Sequence, residues 1–104
     1  MRLITPKTLR EAAERYPRQA DELNQLIKDI DKGTFTTPEQ LKALYPSLDN
    51  FKYLDKHYVI DIGRNELRVI ALIFFESQKF YVRHVFTHRE YDAFVAKHRT
   101  KGKK

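Results

Sequence analysis

The chain has 104 residues, 41% of them hydrophobic and 33% charged, which suits one domain (residues 1–104) with a modest core and is too apolar for disorder. It has no cysteine, which excludes a disulfide framework, a thiolate nucleophile and cysteine zinc sites, and no apolar run nears the roughly 18 residues of a membrane span. The net charge of +6 is confined to one end: up to Gln78 twelve basic residues cancel twelve acidic ones, and from Lys79 onward eight face only Glu90 and Asp92.

In chain order, Met1–Ile4 is short and apolar, fit for an edge strand and not for a signal peptide, so a cytoplasmic location is expected. Thr5-Pro6 gives a helix cap followed by proline at the first helical position, and Leu9, Ala12, Ala13 and Tyr16 form one stripe. Pro17 closes this helix and opens a second, carried by Ala20, Leu23, Ile27 and Ile30 and stopped by Gly33. Thr37-Pro38-Glu39-Gln40 repeats the cap-plus-proline signal, with Gln40 placed for a capping box on Thr37. That third helix ends before Pro46. A polar connection follows, SLDNFKYLDK, in which Phe51 and Tyr53 should be anchored and Lys52 and Lys56 exposed.

Three strands come next, His57–Ile62, Leu67–Glu76 and Lys79–Phe86, rich in β-branched and aromatic residues and separated by turn residues. A two-residue turn at Ser77-Gln78 would set Phe74, Leu72, Ile70 and Arg68 opposite Tyr81, Arg83, Val85 and Thr87 on one face. A two-residue turn around Arg64 would add His57, Val59 and Asp61 to it, whereas a three-residue turn would flip that strand. The other face, from Tyr58, Ile60 and Ile62 through Val69, Ala71 and Ile73 to Phe80, Val82, His84 and Phe86, is apolar and calls for helices. The middle strand should be flanked on both sides. Thr87-His88-Arg89-Glu90 is a further capping box, so a last helix starts at His88 or next to it, with Tyr91, Phe94, Val95 and His98 on one stripe, and Thr100–Lys104 should fray. Helices followed by an antiparallel sheet give an α+β fold.

Two arginines on a half-apolar face need a carboxylate, a partner or a phosphate. An Arg68–Asp61 salt bridge is one answer. The other is RNA: metal-free cleavage needs a base for the 2′-hydroxyl, an acid for the leaving 5′-oxygen, and cations on the phosphorane. His88, at a strand-to-helix junction whose free N–H groups favour an anion, is the foremost proton-transfer candidate. Arg68 and Arg83 would clamp phosphate. Tyr91 would stack or donate, or else serve the core. His57 is either catalytic or a half-exposed strand end, and Lys56 either neutralises phosphate or is solvated. The C-terminal basic excess supplies an RNA surface from Lys79, Arg89, Lys97, Arg99, Lys101, Lys103 and Lys104. His84 reads as structural on the apolar face and His98 as exposed. The histidines share no helical face, so no metal site is expected, and with three glycines there is no phosphate-cradling loop.

The run SLDNFKYLDKHYVIDIGRNELRVIALIFFESQKFYVRHVFTHREYD resembles the HigB family of toxins, the ribosome-dependent messenger-RNA interferases of type II toxin–antitoxin modules. The likeness rests on NELR in the middle strand, FYVRHVFTH in the last and EYD entering a helix, and it extends from the MRLIT opening to the HRTKGKK end. It implies a RelE-like single domain, with N-terminal helices on one face of a curved, mainly antiparallel sheet and a short C-terminal helix. It also implies messenger cleavage in the ribosomal A site without a cofactor. The implied partners are a HigA-type helix-turn-helix antitoxin and, through that complex, operator DNA. RelE-like toxins vary their base, so the roles of His57, His88 and Tyr91 stay open. A non-catalytic RNA- or ribosome-binding module, and a docking domain, are the competing readings. Substituting Arg83 separates enzyme from binder, and toxicity without a co-expressed partner separates both from a docking domain.

Overall fold

The structure is a computed structural model that describes the backbone of residues 1–64 and 66–102 and the side chains of residues 1–64 and 66–99. Lys103 and Lys104 lie outside the described residues, as does the Lys101 side chain. The elements run β1 (Arg2–Leu3), α1 (Pro6–Arg15), a 3₁₀ turn (Pro17–Gln19), α2 (Ala20–Lys32), α3 (Pro38–Leu44), β2 (Asp49–Asn50), β3 (His57–Ile62), β4 (Leu67–Phe74), β5 (Lys79–Thr87) and α4 (His88–Gly102). Among the described residues the strands form one sheet in the order β1-β5-β4-β3-β2, antiparallel except that β1 adds parallel to β5. This is the expected α+β arrangement, with β4 flanked on both sides. None of its described helices is long and apolar enough to cross a membrane.

Two apolar clusters lie on opposite faces of the sheet. On one, Leu9, Leu23, Leu26 and Ile30 of α1 and α2 bury Ile60, Val69, Ala71, Ile73, Phe80 and Val82. On the other, Phe51, Val59 and Ile70 are buried beneath Phe86 and the α4 stripe Tyr91, Phe94 and Val95. The strand between them must be apolar on both sides, and Val69, Ile70 and Ala71 are wholly buried.

The β3–β4 hairpin has the register that puts His57, Val59 and Asp61 on the face of Arg68: His57 faces Leu72, Val59 faces Ile70 and Asp61 faces Arg68. Gly63 and Arg64 turn with φ of 64° and 55°, and the Glu66 N–H donates to the Gly63 carbonyl. The β4–β5 hairpin differs from expectation. β4 ends at Phe74, which pairs with Lys79, so the turn spans Phe75–Gln78 rather than two residues. Gln78 explains it: its φ is 57°, and its side-chain amide donates to the carbonyls of Phe75 and Phe35, tying the turn to the loop after α2. A second departure follows along the strand. Ile70 faces His84 while Ala71 faces Val82, so Arg83 is the extra residue of a β-bulge. Beyond the bulge each residue changes face. His84 and Phe86 join Ile70 and Arg68, Val85 moves toward the helices, and Thr87 faces Leu67 rather than Arg68.

The helix signals held in place more than in detail. Thr87 and Glu90 form the full capping box, at 2.8 and 3.3 Å. Thr37 accepts from the Gln40 N–H, but the Gln40 side chain returns to Thr36. Gly33 ends α2 with an ordinary φ of −85°; it is needed because a Cβ there would lie 2.4 Å from the Phe35 ring. The backbone of α4 continues through residues 100–102, where fraying was expected. Thr5 does not cap α1 with its side chain; its hydroxyl accepts from the Val82 N–H at 2.7 Å, just beyond the last backbone bond of β1 to β5, Ile4 to Phe80.

That bond predicts a ranking. Thr5→Val should lower stability by about 1–3 kcal/mol by leaving the Val82 N–H without its acceptor, whereas Thr5→Ser should keep most of it. Chemical denaturation with hydrogen exchange at Val82 measures the difference. Equal stabilities for the two variants would show the bond to be immaterial.

Candidate active site

Three of the five residues expected to do chemistry, Arg68, His88 and Tyr91, meet where β5 passes into α4. Because Asp61 and Arg68 are cross-strand partners and His88 follows the last residue of β5, the Arg68 guanidinium is reached from two elements at once. Its Nη1 lies 3.2 Å from Asp61 Oδ1, its Nη2 3.4 Å from His88 Nδ1, and its Cζ stands 4.7 Å from the centre of the Tyr91 ring. The Arg68 and Asp61 side chains are 19% and 22% exposed, while His88 and Asp92, paired at 3.5 Å through His88 Nε2, are 60% and 64% exposed. Of the two sequence readings of Arg68, the structure shows the salt bridge to Asp61; the same guanidinium also lies beside His88 and Tyr91. Its Nε is buried and lacks a hydrogen-bond partner among the described residues.

The pairing restricts the chemistry. Arginine only donates, so its bond to His88 requires an unprotonated Nδ1 and puts the imidazole proton on Nε2, toward Asp92. The Tyr91 hydroxyl is raised above its ordinary pKa, by burial first and by Asp61, Asp49 and Asp92, against the opposing effect of Arg68. Tyr91 is thus a neutral phenol that can donate to an oxygen or offer its ring, not a phenolate base. The α4 terminus is less open to an anion than expected, because Thr87 takes the Glu90 N–H and the Glu90 carboxylate lies on the Thr87 N–H.

The remaining candidates are dispersed. Arg83 is exposed at the bulge, about 16 Å of strand from His88 at 3.3 Å per residue, and faces no β4 residue, where Leu72 was expected. His57 is at the start of β3, its Nδ1 2.7 Å from the Asp55 carbonyl. Lys56 is exposed with its ammonium 5.3 Å from the Phe74 ring. Lys79 opens β5 at the far end from His88, beside Arg2 of β1. Arg89, Lys97 and Arg99 lie exposed on α4. Among the described residues no group of three metal-ligating side chains is placed to hold a metal ion.

Residues 19–94 match the family model HigB_toxin, described as the RelE-like toxic component of a toxin–antitoxin system. Over all 104 residues, and the whole of each relative, the chain is 64% identical to the mRNA interferase toxin HigB of Escherichia coli strain K12 and to the mRNA interferase HigB of Shigella flexneri. A more distant mRNA interferase HigB, from Escherichia coli O6:H1, is 45% identical over 92 residues, 88% of this chain and 89% of that one. The chain belongs to the HigB toxin family. The matched segment includes Asp61, Arg68, His88, Tyr91 and Asp92.

In this HigB toxin, sequence reasoning misplaced two histidines. His84, expected among the helix-facing residues, instead stacks on Phe86 at 4.8 Å and meets Phe94 at 5.0 Å. His98, expected to be exposed, is half-buried, 4.2 Å from the Phe94 ring, with its Nδ1 on the Phe94 carbonyl. The bulge is the cause, and strand alternation alone gives no sign of it; the aromatic spacing Phe94–His98 was visible. His84 is held below its ordinary pKa of 6.5, by burial first and then by the charges of Arg83, His57 and His98. A depressed histidine contributes stability that is present above the unfolded value and is lost as pH falls toward the folded one. The thermal midpoint should accordingly decline as pH drops below 6.5. In His84→Phe, which keeps the stack without the titrating ring, the decline should be smaller. Parallel curves for the two proteins, followed by circular dichroism, would remove His84 as the cause.

Proposed function

We propose that this chain is an endoribonuclease toxin that cleaves messenger RNA in the ribosomal A site and is neutralised by a HigA-type antitoxin. The observation that carries the reading is Arg68 held between Asp61, His88 and Tyr91 at the mouth of the β5–α4 junction. Its relatives are named mRNA interferases, which agrees with that chemistry.

The reaction is attack of a ribose 2′-oxygen on the adjoining phosphorus. It forms the 2′,3′-cyclic phosphate and releases the 5′-oxygen of the next nucleotide. Three things are required: a proton must leave the 2′-hydroxyl, a proton must reach the 5′-oxygen, and the phosphorane charge must be balanced. Arg68 balances charge at the phosphate, with Arg83 contacting the strand further along β5. His88 transfers one proton and Tyr91 donates the other or stacks, while His57, on the same face but four residues of β3 from Asp61, about 13 Å of strand, meets the RNA beside this phosphate. These steps use side chains alone, without a metal. Lys56, Lys79, Arg89, Lys97, Arg99, Lys101, Lys103 and Lys104 hold the polymer.

Dependence on the ribosome has a physical basis here. Arg68 already has a carboxylate partner at 3.2 Å, and both His88 nitrogens face neighbours, at 3.4 and 3.5 Å. Free RNA must displace these contacts while also losing its own flexibility. A messenger pre-positioned in the A site has already lost that freedom, so it meets the smaller cost.

Cleavage of a defined messenger by programmed ribosomes, mapped by primer extension, tests this. Losing one strong transition-state contact costs about 3–4 kcal/mol, a hundred- to a thousandfold in rate. Arg83→Ala and His88→Ala should lose activity to that extent and stop inhibiting growth, with unchanged midpoints because both side chains are exposed. Arg68→Ala would also leave Asp61 partly buried and unpaired, so the informative variant is Arg68→Gln with Asp61→Asn. A folded His88→Ala that stays fully toxic would pass the proton role to His57 or Tyr91; if all three variants were folded and toxic, this site would be refuted.

Affinity offers an independent check. Because each neutralised phosphate releases counterions, ribosome and RNA binding should weaken steeply with salt, by about 0.7 logarithmic units per decade for each single-strand phosphate contact. Removing Lys101–Lys104 should reduce the slope and leave the cleavage position unchanged. A flat salt response would mean that the C-terminal basic excess is not the RNA surface.

A further inference from the structure

The ring of Tyr91 that carries Arg68 also lines a second feature, on the side of α4 toward the β2–β3 connection. There a cleft of about 290 Å³ opens between that connection and the helix. This is close to the lower limit of small-molecule sites, roughly 300–1,000 Å³, and has room for one nucleotide but not for a helix or strand of a partner. Its floor is Phe51, 3% exposed, with the Tyr53 and Tyr91 rings packed edge-on against it at 5.6 and 6.4 Å. Its cations are Lys52 and Arg99. The Lys52 ammonium lies 5.2 Å from the centre of the Tyr53 ring. A hydrogen bond from Arg99, aided by the Lys52 charge and opposed by burial, holds the Tyr53 hydroxyl below its ordinary pKa, so both cations gather at that wall. The carboxylate of Asp49 stands in the same cleft.

Each of these groups has a counterpart in a nucleotide. Aromatic walls accept any base by stacking, and two cations beside them suit a backbone phosphate. The carboxylate is the discriminating element. It accepts hydrogen bonds from the exocyclic amine of adenine, cytosine or guanine, whereas uracil offers one N–H between two carbonyl oxygens, which a carboxylate repels. A docked protein segment is the less suitable occupant, since the cleft is short and mixed in charge.

We propose that this cleft is a nucleotide subsite, taking one unpaired nucleobase with an exocyclic amine on Tyr53 and Tyr91 and its phosphate on Lys52 and Arg99. Through Tyr91 it joins the Arg68 site, so a base held here fixes which phosphate lies over Arg68. The subsite then selects the cleavage position; its role in cleavage and the identity of the polymer rest on the nuclease reading, its binding of a nucleotide does not.

The test is an NMR titration of the full chain with 5′-phosphorylated, 2′-O-methylated dinucleotides of adenosine, cytidine, guanosine and uridine, which cannot be cleaved. The expected result is perturbation of Phe51, Tyr53, Tyr91 and Arg99, with the uridine dinucleotide bound about tenfold more weakly than the others. Tyr53→Ala and Arg99→Gln should each weaken binding about tenfold, and Asp49→Ala should remove the discrimination against uridine. Perturbations elsewhere, equal binding of all four, or an Asp49→Ala protein that still rejects uridine would overturn the assignment. So would perturbation of these residues by an antitoxin but by no dinucleotide, which would make the cleft a protein contact. Nothing in this readout requires cleavage, so it can succeed where the nuclease reading fails. Conversely, loss of cleavage in His88→Ala with dinucleotide binding intact would leave the two findings separate.

Discussion

Everything in this fold depends on β4 being buried from both sides. Val69, Ala71 and Ile73 bind the sheet to α1 and α2, while Ile70 and the stem of Arg68 hold it against the α4 cluster. A strand with one solvated face can slip by two residues at modest cost. A strand with two different apolar faces cannot slip by one without exchanging them, so its register is fixed by packing. That rigidity makes the junction a usable site. Asp61 and Arg68 are placed opposite each other by the β3–β4 register, and His88 is brought alongside by the end of β5. No loop of adjustable length intervenes between these residues and the core.

Most of the helical layer and the β3–β4 face could be read from residue pattern alone, because each rests on local repetition. Leu9, Ala12 and Ala13 mark one side of α1, and Tyr58, Ile60 and Ile62 alternate cleanly against them. The capping box at Thr87 placed the start of α4 at or next to His88, where the helix begins. What escaped was non-local. Gln78 sets the β4–β5 turn by binding the carbonyl of Phe35, and Thr5 binds β5 in place of its own helix, each across more than forty residues. The bulge at Arg83 then reverses the faces of the last third of β5. Val85 and Phe86 are both apolar and His84 fits either side, so nothing in that stretch distinguishes the two registers. The nearness of Arg68 to His88 follows in the sequence from an Arg68–Thr87 pairing that the bulge overturns; Arg68 faces Phe86, and His88 still reaches it because it directly follows the strand end. The cleft below Tyr91 was not foreseen, because it needs the two-residue strand β2 to bring Asp49 beside α4.

Arg68 joins the structural and the chemical demands. As a structural residue it neutralises Asp61 and stacks on Tyr91, and breaking a partly buried pair from one side leaves an unbalanced charge. In the proposed chemistry it exchanges one anion for another. The phosphorane of the transition state carries more charge than a ground-state phosphodiester, so it competes better for the guanidinium than the substrate does. Such a contact strengthens as the reaction proceeds, which is the requirement for raising the rate rather than merely the affinity.

The same logic bears on the division of charge along the chain. Near the reacting centre carboxylates already occupy the polar groups: Asp61 faces Arg68, Asp92 faces the His88 ring, and Asp49 acts on the Tyr91 hydroxyl. The unbalanced charge lies in the last quarter of the sequence, among the described side chains on Lys79 and Arg83 of β5 and on Arg89, Lys97 and Arg99, exposed on α4. A long-range positive field draws in any polyanion, with little regard for which phosphate arrives first. A site whose one arginine is already paired with a carboxylate does the opposite: it resists occupation unless the incoming group outcompetes the carboxylates already present. Separating the two lets attraction be general while chemistry is confined to RNA held in one geometry, which a toxin directed at messenger on the ribosome would require.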